Sequence, residues 1–149
     1  MKYYRRDLRK IVDSFLEFVD QSLIKFEIEP FNYKAQKKEL RTRSKDKRGV
    51  YVLSGRDGEI AYVGIGMNKF STRVFSHFNK LPEHELEHVD LIYWDESDCR
   101  RECEFMFPAL EYYLIANISP KLNETYTEYG EGLVVMDDEC KHYDWFEDP

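Results

Sequence analysis

Residues 49–64 read GVYVLSGRDGEIAYVG, two runs of strand-forming residues on either side of a glycine-bounded turn. A two-residue loop at Arg56-Asp57 or at Asp57-Gly58 predicts a β-hairpin. Either loop pairs residues whose numbers sum to an odd total, which puts Tyr51 and Tyr62 on the same face of the sheet because side chains alternate along a strand. The first loop makes them direct cross-strand neighbours, with Cβ atoms about 5 Å apart. We therefore expect a solvated pair of phenols that one substrate group can reach.

The composition fits one folded domain. The chain has 149 residues, of which 42% are hydrophobic and 15% aromatic, enough to build a core. No apolar run is long enough to span a membrane, and no apolar stretch suited to a secretion signal follows the first residues. Cys99, Cys103 and Cys140 suggest neither a disulfide framework nor a zinc knuckle. We expect a cytoplasmic protein with reduced thiols and no membrane partner.

Charge is distributed unevenly along the chain. The net charge is −7, yet residues 1–48 hold 14 Lys or Arg against 8 Asp or Glu, and the remainder holds 8 against 21. The basic run between residues 34 and 48 could follow a phosphate backbone, and a solvated linker is an equally good alternative. Its candidate nucleic-acid-binding residues are Lys37, Lys38, Arg41, Arg43, Lys45 and Lys47.

Hydrophobic periodicity over the rest of the chain predicts an α+β domain. Three- and four-residue steps predict helices over 7–24, 69–80 and 97–117, and Val89–Trp94 reads as a third strand. At Pro108 the last helix either kinks or gives way to a second helix. The expected organisation is an N-terminal helix with a basic arm (1–47), a core (48–123) and an acidic extension (124–149) with room for one strand at 133–136.

Three polar residues stand out on the predicted helices. Arg73 and His77 are four residues apart and project from one helix face, where a guanidinium and an imidazole can grip a phosphate and relay a proton. A surface arginine and a half-buried histidine are the alternative. At roughly 100° per residue, Glu111 falls inside the apolar arc of its helix. Its burial requires an arginine, a metal ion or a proton, and a structural ion pair is the alternative.

The segment His84-Glu85-Leu86-Glu87-His88 matches the H-E-x-x-H pattern of zinc proteases. That motif needs a helix with an apolar back, whereas Leu86 is the only apolar residue in this segment and a strand soon follows. We therefore expect an exposed polar turn or loop here and no zinc site.

In combination, these residues resemble the GIY-YIG endonuclease family. Its two name motifs appear as Gly49-Val50-Tyr51 and Tyr62-Val63-Gly64. Arg73 with His77, then Glu111, then Pro120-Lys121-Leu122-Asn123 follow in the order of the family pattern. The resemblance covers residues 48–123 and implies a small three-stranded antiparallel sheet flanked by helices, here with an added N-terminal helix.

The resemblance also implies a function: metal-dependent hydrolysis of phosphodiester bonds in DNA, with RNA left open as a substrate. Glu111 would hold one Mg²⁺ or Mn²⁺ ion, Arg73 would stabilise the scissile phosphate, and Asn123 would support the site. Tyr51 would activate water, helped by Tyr62 and His77. A free phenol is only about 0.1% ionised at pH 7, so nearby cations must acidify Tyr51 or a metal-bound water must already be acidic.

The chain departs from the family pattern directly after the second motif. Many members carry a lysine or small polar residue there, whereas Ile65-Gly66-Met67 precede Lys69, which we keep as a candidate nucleic-acid-binding residue. Two other functions stay open: a non-catalytic nucleic-acid-binding module with the same fold, and a protein-interaction module suggested by the acidic tail. The sequence leaves the oligomeric state open.

Overall fold

A computed structural model describes residues 2–19, 25–45, 47–66, 74–75, 85–94 and 100–123, with the backbone alone for 100–104. In chain order the elements are a 3-10 turn at Arg5–Asp7, α1 Leu8–Phe18, β1 Glu27–Asn32, α2 Lys37–Ser44, β2 Gly49–Gly55, β3 Ile60–Gly66, β4 Leu86–Tyr93 and α3 Arg100–Ile118. No helix in the described part of the chain has the length and apolar character needed to cross a membrane.

The four strands form one antiparallel sheet in the order β1-β4-β2-β3. The predicted α+β class with an antiparallel sheet is confirmed, but the predicted count of three strands is wrong. The additional strand, β1, contains Pro30, which lacks the N–H that an interior strand must donate. An edge position tolerates that proline, and β1 pairs only with β4 among the described strands.

Each face of the sheet has its own hydrophobic core. We call the first the α1/α3 face, because both helices pack there against alternate strand residues. Its buried side chains include Leu8, Val12, Phe15, Phe26, Val50, Val52, Val63, Ile65, Ile92, Phe107, Leu110, Leu114 and Ile118. We call the second the tyrosine face. Its buried side chains include Phe31, Tyr33, Leu40, Tyr51, Leu53, Tyr62, Val74, Phe75, Leu91, Tyr93 and Leu122.

The N-terminal segment belongs to the fold and is not a separate arm. The Ile60 N–H donates to the Tyr3 carbonyl, and the Arg5 N–H donates to the Gly58 carbonyl, each at 2.9 Å. Further along, the segment supplies α1 and β1. The basic run is likewise a helix, α2, whose Leu40 is fully buried on the tyrosine face. The segment is thus a helix and not a linker, and its exposed cations are consistent with both a solvated face and a phosphate-binding surface.

Helix α3 runs without interruption through Pro108, so a second helix does not begin there. Its bounds lie close to the predicted 97–117, whereas α1 ends well before residue 24. The predicted helix over 69–80 is described only at Val74 and Phe75, which are helical and buried. The predicted strand at 133–136 and the acidic extension lie outside the described residues.

A partly buried ion pair joins the N-terminal turn to the centre of the sheet. Arg5 donates from Nε and Nη2 to the two carboxylate oxygens of Asp90 on β4, at 2.8 and 3.1 Å. Asp90 is 4% exposed, and the fork geometry satisfies both of its oxygens. Because Arg5 carries the backbone contact to Gly58 as well, this pair links the N-terminus, the hairpin and β4.

Replacing Asp90 with alanine should lower the free energy of unfolding by about 3 kcal/mol, because the Arg5 charge then loses its only buried carboxylate partner among the described residues. Urea unfolding followed by circular dichroism measures the change. Asp13→Ala is the matched control, because its pair with Arg9 is exposed and should contribute at most about 0.5 kcal/mol. Equal losses in the two variants would contradict the structural role of the Arg5–Asp90 pair.

Candidate active site

The turn between β2 and β3 has a three-residue loop and not the predicted two-residue loop. The Gly58 N–H donates to the Gly55 carbonyl at 3.0 Å, and the Gly55 N–H donates to the Glu59 carbonyl at 3.1 Å. Gly58 has φ +90°, which suits a glycine in this type of hairpin. A loop of this length gives even-sum pairing, which by itself would place the two tyrosines on opposite faces.

A β-bulge at Ala61 reverses that outcome. The pairing passes from Ser54–Ile60 directly to Leu53–Tyr62, so Ala61 is an extra residue on β3. One extra residue shifts the register by one and turns every later side chain to the other face. Beyond the bulge the pairing is odd-sum, as the sequence predicted.

Tyr51 and Tyr62 therefore do share one face, as predicted. Tyr51 pairs with Gly64, which makes the two tyrosines diagonal and not direct neighbours, and their ring centroids are 6.3 Å apart. The expectation that they are solvated is wrong: Tyr51 is 0% and Tyr62 8% exposed. The tyrosine face is covered by side chains from α2 and from the segment after β3, among them Leu40 and Phe75.

Gly64 makes room for the Tyr51 ring. A Cβ atom at position 64 would lie 2.5 Å from both Cζ and Oη of Tyr51, closer than atoms of real side chains approach. The glycine of the second tripeptide thus accommodates the tyrosine of the first. At the other end of the pairing, any side chain at Gly49 would collide with the backbone carbonyl of Ile92 on β4.

A Gly64→Ala substitution should displace the Tyr51 ring and lower the free energy of unfolding by about 1–3 kcal/mol, the usual cost of overpacking. Combining it with Tyr51→Leu, which shortens the opposing side chain, should recover most of that loss. A double-mutant cycle from urea unfolding measures the coupling. Additive effects of the two substitutions would show that the contact does not control the packing.

Asn123 holds the outer edge of β3. Its Oδ1 accepts from the Val63 N–H at 2.9 Å, and its Nδ2 donates to the Val63 carbonyl at 3.0 Å. One amide side chain thus satisfies both backbone groups of an edge residue, as a neighbouring strand would. Leu122, the residue before it, is buried on the tyrosine face. Asn123 therefore supports the strand that carries Tyr62.

Glu111 is buried, as the helical periodicity predicted, with 5% of its surface exposed. It lies roughly 200° around α3 from Tyr113, whose ring packs on Phe15 of α1 with centroids 5.3 Å apart. Glu111 therefore lies on the flank of α3 away from Tyr113. The other buried residues of this helix, such as Phe107 and Leu114, pack on the α1/α3 face of the sheet, whereas the two tyrosines lie on the opposite face.

Arg73, His77 and Lys69 lie outside the described residues. Val74, directly after Arg73, is fully buried on the tyrosine face, and Phe75 is 9% exposed there. Val74 thus provides a buried apolar residue within the helix predicted over 69–80. The roles of the three polar residues stay predictions.

The candidate nucleic-acid-binding residues of α2 and its flank differ in their surroundings. Lys37, Lys38, Arg41 and Lys45 are exposed, and Lys47 is half-buried. The Arg41 guanidinium lies over the Phe75 ring, 4.4 Å from its centroid, so its stem covers the tyrosine face while its charge meets solvent. Lys37 and Lys47 lie over the rings of Tyr33 and Tyr93 at 5.3 and 4.6 Å.

Arg43 is engaged in an ion pair within the fold. It donates from Nε and Nη2 to the Glu29 carboxylate at 2.8 and 3.1 Å, and the Tyr93 hydroxyl donates to the same carboxylate at 2.9 Å. Burial raises the pKa of Glu29, but the hydrogen bonds from Arg43 and Tyr93 outweigh it, and the pKa lies below its usual value. Burial, and then the Glu29 carboxylate, raise the pKa of Tyr93. Arg43, although exposed itself, therefore links α2 to β1 and β4 through Glu29 and Tyr93.

The described residues contain no cluster of three or more His, Cys, Asp or Glu suited to a metal ion. Leu86, Glu87 and His88 lie in strand β4 and Leu86 is buried, so the exposed turn or loop expected for this segment is wrong at these three residues. Residues in a strand do not supply the helical geometry of the H-E-x-x-H motif. A single buried carboxylate such as Glu111 fits a hard divalent cation that completes its shell with water and substrate phosphate.

A cleft of about 400 Å³ lies at the end of the hairpin, and no sequence pattern indicated it. It is lined by the turn residues, the start of β3, Glu85, Lys121 and Leu122, with both signs of charge. The cleft arises because the chain after α3 returns to the hairpin, a long-range contact that no local pattern reports.

A scan against protein-family models found no match, and searches of curated proteins and of solved structures found none either. The resemblance to the GIY-YIG family therefore depends on the motif residues and their arrangement. Of these, the structure brings together Tyr51, Tyr62, Gly64 and the strand edge that Asn123 binds.

Proposed function

We propose that this protein is a metal-dependent endonuclease of the GIY-YIG type that hydrolyses phosphodiester bonds in DNA. The observation that carries the proposal is the tyrosine pair, held 6.3 Å apart on one sheet face by a bulged register and by the space at Gly64. Asn123 on the β3 edge and the buried Glu111 on α3 support it, since both match the order of the family motif.

The proposed chemistry is attack of water on phosphorus with departure of the ester oxygen. Glu111 would hold Mg²⁺ or Mn²⁺, which supplies charge neutralisation at the phosphate when bound. One tyrosine of the Tyr51–Tyr62 pair, ionised to its phenolate, would accept the proton of the attacking water, and the departing ester oxygen would take up a proton from solvent. By resemblance, Arg73 would balance the charge that develops on the phosphate oxygens and His77 would assist proton transfer.

Helix α2 would guide the substrate to the tyrosine face. Its exposed cations, Lys37, Lys38 and Arg41, lie on an element whose Leu40 packs in the same core as both tyrosines. Each phosphate that they neutralise releases counterions, which gives sequence-independent affinity. Lys45 and Lys47 continue this basic surface toward β2, whereas Arg43 serves the fold through Glu29.

A second function is favoured by one observation, the burial of Tyr51. A general base has to reach its water within hydrogen-bond distance, and Tyr51 is 0% exposed. The second candidate is therefore a nucleic-acid-binding module that keeps the fold and does not cleave. In that case the tyrosine pair would be a packing feature that orders the face beneath α2.

The two candidates differ in cleavage. Incubated with supercoiled plasmid or branched DNA in Mg²⁺ or Mn²⁺, the wild type should nick or cut, and Glu111→Gln should be at least about a hundredfold slower because the metal charge at the phosphate is lost. Glu17→Gln is the matched control, an exposed carboxylate of α1 that should retain wild-type activity. Parallel RNA substrates decide the substrate class.

Binding measured on the same substrates separates the outcomes. A wild type that binds DNA in a salt-dependent manner but leaves every substrate intact would contradict the nuclease and support the binding module. Cleavage by Glu111→Gln at the wild-type rate would contradict the role of Glu111. Retention of the circular-dichroism spectrum shows that each variant is folded.

A further inference from the structure

Helix α3 has two apolar faces. The inner one is buried against the sheet, and the outer one is exposed, with Phe105 and Tyr112 each 74% exposed. From 105 to 118 the only charged residue is Glu111, which is buried with the inner face. A helix that is apolar on both sides is typically covered on both sides. The outer face consists of Phe105, Ala109, Tyr112 and Ala116, all exposed.

The spacing of these four residues is that of a coiled-coil seam. Steps of four, three and four residues place them on one line along the helix, with an aromatic residue and an alanine alternating. Small and large residues in alternation form holes and knobs for a second helix. The residues of α3 that pack against the sheet occupy other positions of the same repeat. The four seam residues are therefore not used in packing against the sheet.

We propose that the outer face of α3 binds a second copy of this chain, with the two α3 helices antiparallel about a two-fold axis. With the axis between positions 110 and 111, Phe105 faces Ala116 of the partner subunit, and Tyr112 faces Ala109 of the partner subunit. Both contacts are symmetric about the same axis between positions 110 and 111. A single register of the two helices therefore places every aromatic ring of the seam over an alanine. A two-fold interface requires this kind of self-complementary patch.

The seam carries no charge, so the repulsion that a net charge of −7 produces between two copies is not concentrated at the proposed contact. Phe18, 75% exposed at the end of α1, enlarges the apolar patch beside Tyr113, with ring centroids 5.8 Å apart. Aromatic side chains bury roughly 150–250 Å² each, which makes this a small interface with a Kd in the micromolar range.

Analytical ultracentrifugation of the full chain, from micromolar to several hundred micromolar, tests the proposal. At the highest concentrations the wild type should have twice its 18.0 kDa chain mass. Ala109→Glu should weaken the dimer at least about a hundredfold, because it buries a carboxylate against Tyr112 of the partner subunit. The matched control is Ala35→Glu, at another exposed alanine, which should dimerise as the wild type does.

A mixture of two variants tests the register. In a dimer of one Ala109→Glu chain with one Tyr112→Lys chain, one contact becomes a Glu–Lys pair and the other keeps its native Tyr and Ala. The mixture should therefore dimerise at least about tenfold more tightly than either variant alone. Absence of this rescue would overturn the register. Two results would overturn the proposal. One is a monomeric wild type whose seam is covered by residues 124–149 or by another protein, and the other is a dimer that Ala109→Glu leaves intact.

Discussion

The packing of the Tyr51 ring over Gly64 is the contact on which the tyrosine face depends. The ring occupies the space that any side chain at position 64 would fill, so it requires the register that pairs these two residues. A slip of one residue would place the ring opposite Val63 or Ile65 and turn Tyr62 to the other face. The backbone of Tyr3 and the side chain of Asn123 bind β3 from outside, at Ile60 and Val63, and hold it in that register.

The strands of the hairpin and the apolar stripes of α1 and α3 could be predicted from the sequence, because each depends on a local period. The shared face of the two tyrosines was predicted for an incomplete reason. The actual loop is one residue longer than expected, and the bulge at Ala61 offsets it, so the two departures cancel in parity. Neither a bulge nor its position follows from the alternation of side chains.

The features that sequence patterns missed depend on distant partners. Strand β1 becomes a strand only by pairing with β4, and Arg5 pairs with Asp90, 85 positions further along the chain. The burial of Tyr51 depends on Leu40 and Phe75, which arrive from separate elements. The positive charge of the basic run could be read from the sequence. The burial of Leu40 and the ion pair of Arg43 with Glu29 could not, because both partners of α2 belong to the folded sheet. Glu111 was the one buried polar residue that helical periodicity identified.

The two proposals use different surfaces of the molecule. The proposed chemistry uses the tyrosine face, the edge of β3, the exposed cations of α2 and the buried Glu111 of α3, whereas the proposed dimer uses the outer side of α3. A dimer formed through α3 therefore leaves both α2 helices open to substrate. It also keeps the inner stripe of α3, and Glu111 with it, packed against the sheet.

The most direct measurement is the location of Mn²⁺ on the folded protein by paramagnetic broadening of its backbone NMR signals. It reports the metal site without requiring turnover. A GIY-YIG-type site predicts selective broadening at Glu111, Asn123 and the Tyr62–Gly64 strand, and loss of that broadening in Glu111→Gln. Broadening centred on the acidic residues at the hairpin cleft, Asp57, Glu59 and Glu85, or none at Glu111, would contradict the account.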